Sequence, residues 1–351
     1  MRTDLQSLDL QETRQWVEEV GLEAFRAAQI RHWVFKGLAC SFEEMTNISK
    51  EVRRKLEERA TLRVLEEADV QVSRDGTRKH LFKLQDGYFI ESVLIPERDH
   101  CTLCISSQAG CAMGCLFCLT AKQGFKRNLT PSEITDQVLQ VKRSMPDPSR
   151  LTNLVLMGMG EPLANYDAVL KAVRNLVDLE GMNFSHRKVT LSTCGLVPEI
   201  RRLGEDVKVN LAVSLNGSDN RTRDHLMPVN RRYPLEELIA ACRDFPLPQG
   251  RRITFEYILI HGVNDRDEDA ARLVKLLSGL KAKINLIPLN AHPGSEMAAP
   301  PGSRILAFQE TLVRNRFTAI IRKSKGQDIS AACGQLSGSR QKSAERRAQR
   351  A

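Results

Sequence analysis

The chain has 351 residues, 27% of them charged and 42% hydrophobic, with a formal net charge of +9. That length supports one large core and a smaller one. No run reaches the roughly 18 apolar residues a membrane span needs, and the opening MRTDLQSLDLQETRQ lacks the basic-then-apolar order of a secretion signal, so a cytoplasmic protein with no membrane partner is expected.

Residues 9 to 60 carry apolar side chains three or four apart in TRQWVEEV, FRAAQIRHWVFKGL and ISKEVRRKLEERA, and read as helices. A small helical N-terminal domain over 1–62 follows. Next, KHLFKLQ (79–85) and YFIESVLIP (88–96) flank Asp86-Gly87 and read as a β-hairpin within a linking extension, 63–99. From about residue 100 strands and helices alternate six times, from CTLCISS through NLVLMGMG, KVTLST, VKVNLAVSL, RITFEYILI and KINLIPLN to FTAIIRK. This order implies an α/β fold of parallel strands with helical crossovers, as an open sheet or a partial or full barrel. In either, the loops after the strands build the active site. Thr130-Pro131 marks the start of the first crossover helix, whose buried stripe is Ile134, Val138 and Val141. The core is expected over 100–336. Residues 322–351 hold eight Lys/Arg against two Asp/Glu, and 337–351 have too few apolar residues to pack, which makes them a basic tail.

A reducing compartment disfavours a permanent disulfide framework among the nine cysteines; metal binding or catalysis explains a tight cluster better. Cys111, Cys115 and Cys118 form a C-x3-C-x2-C loop between the first strand of the alternating region and its first helix. Three thiolates suit a four-iron cluster with one iron left open, or structural zinc if Cys104 or Cys101 adds a fourth ligand. Cys40, Cys194 and Cys242 read as ordinary small apolar residues, and the histidines give no metal-ligand spacing. MGMGEP (157–162) ends the second strand; its glycines permit close backbone approach, and Glu161 can accept from an ammonium group.

The C-x3-C-x2-C spacing in this position resembles the radical S-adenosylmethionine superfamily. Together with MGMGEPLAN, LSTCG, DHLMPVN, INLIPLN, GQDISAACGQL and YFIESVLIPERDHCTLC, it resembles the RlmN family of RNA adenine-C2 methyltransferases over residues 9 to 336. The resemblance implies a partial (β/α)6 radical-enzyme barrel with the helical domain as an RNA-binding accessory. It implies a [4Fe-4S] cluster on Cys111, Cys115 and Cys118, and S-adenosylmethionine, two molecules per methyl, held by Gly160, Glu161, Ser192, Ser214, Leu215, Asn216 and Asn290. Cys333 would carry the methyl carbon, Cys104 would resolve the protein–RNA adduct through a transient disulfide, and Glu91 would take the carbon-2 proton. Glu91 shares a strand face with Phe89, Val93 and Ile95, an apolar setting expected to raise its pKa. The implied partners of a monomer are 23S ribosomal RNA in a protein-poor assembly state, transfer RNA, and a low-potential electron donor such as flavodoxin. A carbon-8 methyltransferase of the antibiotic-resistance type and a zinc-stabilised RNA-binding protein are the alternatives. The chain departs from the family pattern at Asn216, where histidine is usual, and at Ala291-His292-Pro293-Gly294. Lys122, Lys126, Arg127, Arg231, Arg232 and the tail are candidate phosphate contacts, since a base turned out for carbon-2 chemistry leaves its flanking backbone to be held.

Overall fold

The computed structural model describes residues 2–62, 65–291 and 295–338; among them no helix is long and apolar enough to cross a membrane. His292 to Gly294 and the tail beyond 338 lie outside the described residues.

The N-terminal unit is closed by a short parallel pair, β1 (Thr3–Asp4) with β2 (Ala60–Thr61). Between them run α1 (Leu10–Glu19), α2 (Arg26–Arg31) with a π-turn through Lys36, and α3 (Lys50–Arg59). Asp9 and Glu12 cap α1 reciprocally, satisfying amide donors that a helix start leaves open. Val17, Ile30, Val34, Phe35 and Leu56 supply the buried face.

One ten-stranded sheet organises the rest. Its antiparallel part is β3 (Glu66–Val72), β4 (Arg78–Lys83) and β5 (Phe89–Pro96), and β5 pairs antiparallel with β6 (Cys101–Cys104). A small antiparallel pair, β7 (Gln108–Ala109) with β8 (Arg127–Asn128), lies outside the sheet. Parallel ladders then join β6 to β9 (Leu151–Leu156), β10 (Val189–Thr193), β11 (Asn210–Ser214), β12 (Ile253–Leu259), β13 (Ala282–Pro288) and β14 (Thr318–Ile321). The crossovers carry α5 (Pro131–Ser144) after the short α4 (Leu119–Lys122), then α6 (Tyr166–Val177), α7 (Val197–Asp206), α8 (Asn220–Leu226), α9 (Leu235–Asp244), α10 (Asp267–Leu277) and α11 (Gly302–Arg314). This is the expected partial barrel. The hairpin is not a separate appendage: β3 to β5 continue the same sheet. Sequence periodicity missed β3 because EEADVQV is an edge strand dressed with charge, which blocks edge-to-edge pairing but hides the apolar alternation.

Strand alternation divides the barrel wall. Val189, Leu191, Leu211, Val213, Phe255, Tyr257, Ile284 and Leu286 point to the helices and are fully buried. The other face presents Thr190, Ser192, Asn210, Ser214, Thr254, Glu256, Lys283 and Asn285 to the lumen, together with Ala212, Ile258 and Ile287. A barrel interior is ordinarily filled by branched apolar side chains; this polar lumen leaves room at both ends.

The N-terminal unit is bolted to the core by Arg31, which is 1% exposed. Its guanidinium donates to the Asn175 carbonyl oxygen on α6 at 3.0 Å and to the Leu8 backbone oxygen at 3.1 Å. Arg31→Met strands the Asn175 side-chain oxygen, while the Leu8 oxygen keeps its bond from Asn175 Nδ2 at 3.1 Å, and denaturant unfolding is expected to show a loss of about 2 kcal/mol; an unchanged midpoint would show that these bonds contribute nothing net.

Candidate active site

The loop from β6 to α5 carries the three clustered cysteines. Its base is pinned by the β7–β8 pair and its far end by α5, where Thr130 and Glu133 form a capping box and Pro131 fills the first turn. Glu133 also takes a bidentate ion pair from Arg127 at 2.8 Å, and Arg127 pairs with Asp86 at the hairpin turn. Arg127 therefore braces the loop and is not a free phosphate contact.

Cys111, Cys115 and Cys118 line a cavity of about 170 Å³ with Gly158, Gly160, Glu161, Ser192, Ser214, Asn216 and Cys333. Burial pushes the Cys111 thiol up to about 12 and raises the Cys115 thiol further, and the charge of the neighbouring cysteines adds to both. Thiols so disfavoured as bare anions lose their protons on binding a cationic centre. The donor set, three mutually coupled thiols around a shared cavity, fits an iron–sulfur cluster.

The opposite wall follows from the strand ends. Gly160 has φ 100°, and a Cβ there would stand 2.5 Å from that of Gln108, so only glycine lets β9 close on the loop. Glu161 is buried; its Oε1 accepts from Leu163 N–H at 3.0 Å and its Oε2 from Cys194 N–H at 2.7 Å, while burial raises its pKa. Ser192 and Ser214 face the cavity directly. Asn216 adopts φ 55°, a left-handed conformation asparagine tolerates. Its Oδ1 accepts from Ile258 N–H at 2.8 Å, and its amide group points to the Met227 sulfur at 3.2 Å. Leu215, between them, turns into the core and is not part of the wall.

Three wall elements escaped the sequence reading. Arg223, on α8, is fully buried behind Cys115 and donates to the backbone oxygens of Leu215 at 3.0 Å and Cys194 at 2.5 Å and to the Asn230 side chain at 2.8 Å. Its charge eases ionisation of Cys115. Glu256 faces the cavity with 8% exposure, accepts from Asn285 at 2.9 Å, and raises the pKa of Cys333. Cys194 is not a plain packing residue, because its backbone joins Glu161 to Arg223 and its side chain lines the cavity. Cys242 is buried as expected, whereas Cys40 is exposed. A lone Glu in ITFEYILI on the polar-lumen register was the only signal for Glu256.

Cys333 comes from the segment after β14, which lies across the barrel mouth. Leu119 N–H donates to the Gly334 oxygen at 2.8 Å, Thr120 Oγ1 to the Leu336 oxygen at 2.7 Å, and Asn290 to the Cys333 oxygen at 3.3 Å. Asn290 also accepts from Gln327 at 3.0 Å, so both ends of its amide serve this segment. Cys333 has an exposed surface because it opens on the cavity, yet protein surrounds the sulfur, and burial followed by Glu256 pushes its pKa up to about 11. The Cys104 thiol, at the end of β6, is buried and raised first by desolvation and then by the charge of Cys333.

Glu91 is buried, but its setting is not apolar. Its Oε1 pairs with Lys79 Nζ at 3.2 Å, and its Oε2 accepts from the N–H groups of Ser337 at 2.7 Å and Gly338 at 3.0 Å. Lys79 reaches on to the Ser330 oxygen at 3.4 Å. The expectation of a hydrophobic environment fails because β4 and β5 pair side by side and bring a buried lysine to the carboxylate. The segment expected to be loose from 337 onward is packed through Gly338.

Comparison with known proteins agrees with this geometry. Residues 3–62 match the ribosomal RNA large subunit methyltransferase N-terminal domain, and 105–274 match the radical SAM superfamily. A dual-specificity RNA methyltransferase RlmN of Desulfosudis oleivorans is 54% identical, covering 95% of this chain and 90% of that protein. The protein of the same name from Syntrophobacter fumaroxidans is 53% identical, covering 93% and 96%. The crystal structure of a radical SAM methyltransferase from Sphaerobacter thermophilus superposes with a TM-score of 0.91 at 46% identity, covering 96% of this chain and all of that one.

Two measurements check the site. Lys79→Met leaves a buried carboxylate without its counter-charge, which costs about 3–5 kcal/mol; hydrogen exchange at the Ser337 and Gly338 amides is expected to accelerate, and unchanged protection would dissociate the ion pair from the segment. Because the Cys333 pKa is raised from 9.0 to about 11, its thiolate fraction still grows about tenfold per pH unit at pH 9. On the fraction of protein whose Cys333 sulfur is unmodified, iodoacetamide labelling of the Cys333 peptide, followed by mass spectrometry between pH 7 and pH 9.5, is expected to rise without a plateau.

Proposed function

Because the chain belongs to the RlmN family of radical S-adenosylmethionine RNA methyltransferases, we propose that it methylates carbon 2 of adenosine in 23S ribosomal RNA and transfer RNA through Cys333. The observation that carries this reading is the meeting of Cys111, Cys115, Cys118 and Cys333, from distant parts of the chain, around one cavity. The buried Cys104 thiol feels the charge of Cys333. Carbon 2 of adenine is electron-poor and does not attack an electrophilic methyl group, so a polar transfer fails and a radical route is required.

Cys111, Cys115 and Cys118 would hold a [4Fe-4S] cluster which, with two molecules of S-adenosylmethionine used in succession and an electron from a low-potential donor such as flavodoxin, would supply the methyl group, leaving S-adenosylhomocysteine, and the means to remove a hydrogen from it. Gly160, Glu161, Ser192, Ser214 and Asn216 form the cofactor wall. Leu215 contributes only backbone, and Asn290 acts by holding the Cys333 segment. Cys333 gives up its thiol proton and takes the methyl on sulfur. After that carbon bonds to the base, the RNA hangs from Cys333 through a CH2 bridge. Release would remove the proton from carbon 2 and return the unpaired electron left by the addition to the electron-donating system; the Cys104 thiolate would then attack the Cys333 sulfur, the expelled carbon taking a proton to become the methyl group and leaving a Cys104–Cys333 disulfide that cellular thiols reduce. Glu91 would serve as the base, its carboxylate held by Lys79 and by the Ser337 and Gly338 amides. The substrate would be ribosomal RNA still poor in protein, bound by a monomer, since the base must leave its stack to enter the cavity.

Anaerobic incubation with RNA and S-adenosylmethionine tests the assignment. Cys104→Ala is expected to trap RNA covalently on the protein, and Cys333→Ala to give neither adduct nor product. Nucleoside mass spectrometry of the wild-type reaction should show 2-methyladenosine; 8-methyladenosine, or full turnover by the Cys333 variant, would overturn the reading.

A further inference from the structure

The polar lumen opens at its lower end, opposite the cysteines, into a second cavity of about 490 Å³. Its wall is built from the first lumen-facing residues of the strands, Thr190, Asn210, Thr254, Lys283 and Thr318, and from the loops that lead into them. Thr190 and Thr254 each stand two residues below a residue of the upper cavity, Ser192 and Glu256 respectively. The two cavities are therefore the two mouths of one barrel, separated by roughly 7 Å along a strand.

The lower mouth is cationic. Arg187, Arg251, Arg252 and Lys283 line it, and no Asp or Glu does. Arg187, Arg251 and Arg252 have no carboxylate partner among the described residues, unlike Arg201 with Asp244 and Arg304 with Asp267. Arg251 and Arg187 repel one another: after burial, the nearby Arg187 charge is what lowers the Arg251 pKa. Holding such groups together costs free energy that an anion between them would recover. The Arg251 and Arg252 side chains and the Arg187 backbone are also braced. Arg251 Nη1 donates to the Lys208 oxygen at 2.7 Å, Arg252 Nη1 donates to Thr318 Oγ1 at 2.7 Å, and Asn210 ties down the Arg187 oxygen at 2.8 Å. Each guanidinium keeps further N–H groups for a ligand, and paired guanidinium donors match the oxygens of phosphate.

We propose that this lower mouth, formed by Arg187, Arg251, Arg252 and Lys283, is a phosphate-binding site that takes phosphodiester groups of the RNA substrate away from the base being modified. The inference rests on the RNA reading only for the source of the phosphate. An RNA held at the upper mouth has flanking backbone to reach around the barrel rim, and the four cations give that backbone a second anchorage.

The test uses Arg187→Gln combined with Arg252→Gln, which leaves Arg251 and its loop contacts in place. Fluorescence anisotropy with transfer RNA from 50 to 200 mM salt is expected to show about tenfold weaker binding and a log–log salt slope shallower by about 1.5, the loss of two phosphate contacts. Arg187→Lys with Arg252→Lys should recover most of the slope. The control Arg201→Gln with Arg202→Gln, on exposed α7, should leave the slope unchanged. Calorimetry with ATP and with inorganic phosphate separates the sources: binding lost in the Gln pair with an unaltered RNA slope would move the site to a free nucleotide or phosphate and overturn the RNA assignment. No change in either arm would overturn the site itself. Methylation by the wild-type protein is scored separately, so failure of the site and failure of the methyltransferase reading are distinguishable.

Discussion

The buried contact between Lys79 and Glu91 is the constraint on which the upper mouth depends. A carboxylate and an ammonium at 5% or less exposure are tolerated because each satisfies the other and both hold backbone, Glu91 through two amides and Lys79 through a carbonyl. That backbone is the segment that carries Cys333. With its far end fixed on β5 and its middle on α4 and Asn290, the segment lies over the cysteine loop and brings Cys333 to the cavity lined by Cys111, Cys115 and Cys118. The antiparallel extension thus does for the barrel what a further strand would not: it supplies a polar anchor for a returning chain end.

A second consequence concerns charge. The cavity is a poor place for a bare thiolate, as the raised Cys111, Cys104 and Cys333 show. Glu161 and Glu256 add negative potential, while Arg223 offsets it from behind Cys115. Such a site favours cationic occupants, which suits both an iron–sulfur cluster on the cysteines and a sulfonium cofactor against the carboxylate wall. The two ends of the lumen are opposite in character, acidic and thiol-rich above and basic below, and this polarity runs over a few residues of strand.

Much of this was legible in the chain. Cys111, Cys115 and Cys118 announced themselves by spacing, the parallel core by its repeated alternation, the turn at Asp86-Gly87 by its dipeptide, and the α5 start by Thr130-Pro131. What stayed hidden has a common cause. Lys79 with Glu91, Arg223 behind Cys115, and the basal arginines are charged residues whose meaning depends on partners far away in sequence, and a charge on an amphipathic element reads as solvated until its neighbour is known. The polar setting of Glu91 was misjudged for that reason: its own strand is apolar, and the lysine comes from the next one. β3 went unseen because the charges that protect a sheet edge also erase its pattern.

The central claim is that the segment held by Glu91 delivers Cys333 to the cavity as the carrier of carbon. Tandem mass spectrometry of the protein isolated from cells without added cofactor tests this directly. The account predicts a methyl group on the sulfur of Cys333 and on no other cysteine; a bare Cys333 in active protein, or a methyl on Cys104 instead, would contradict it.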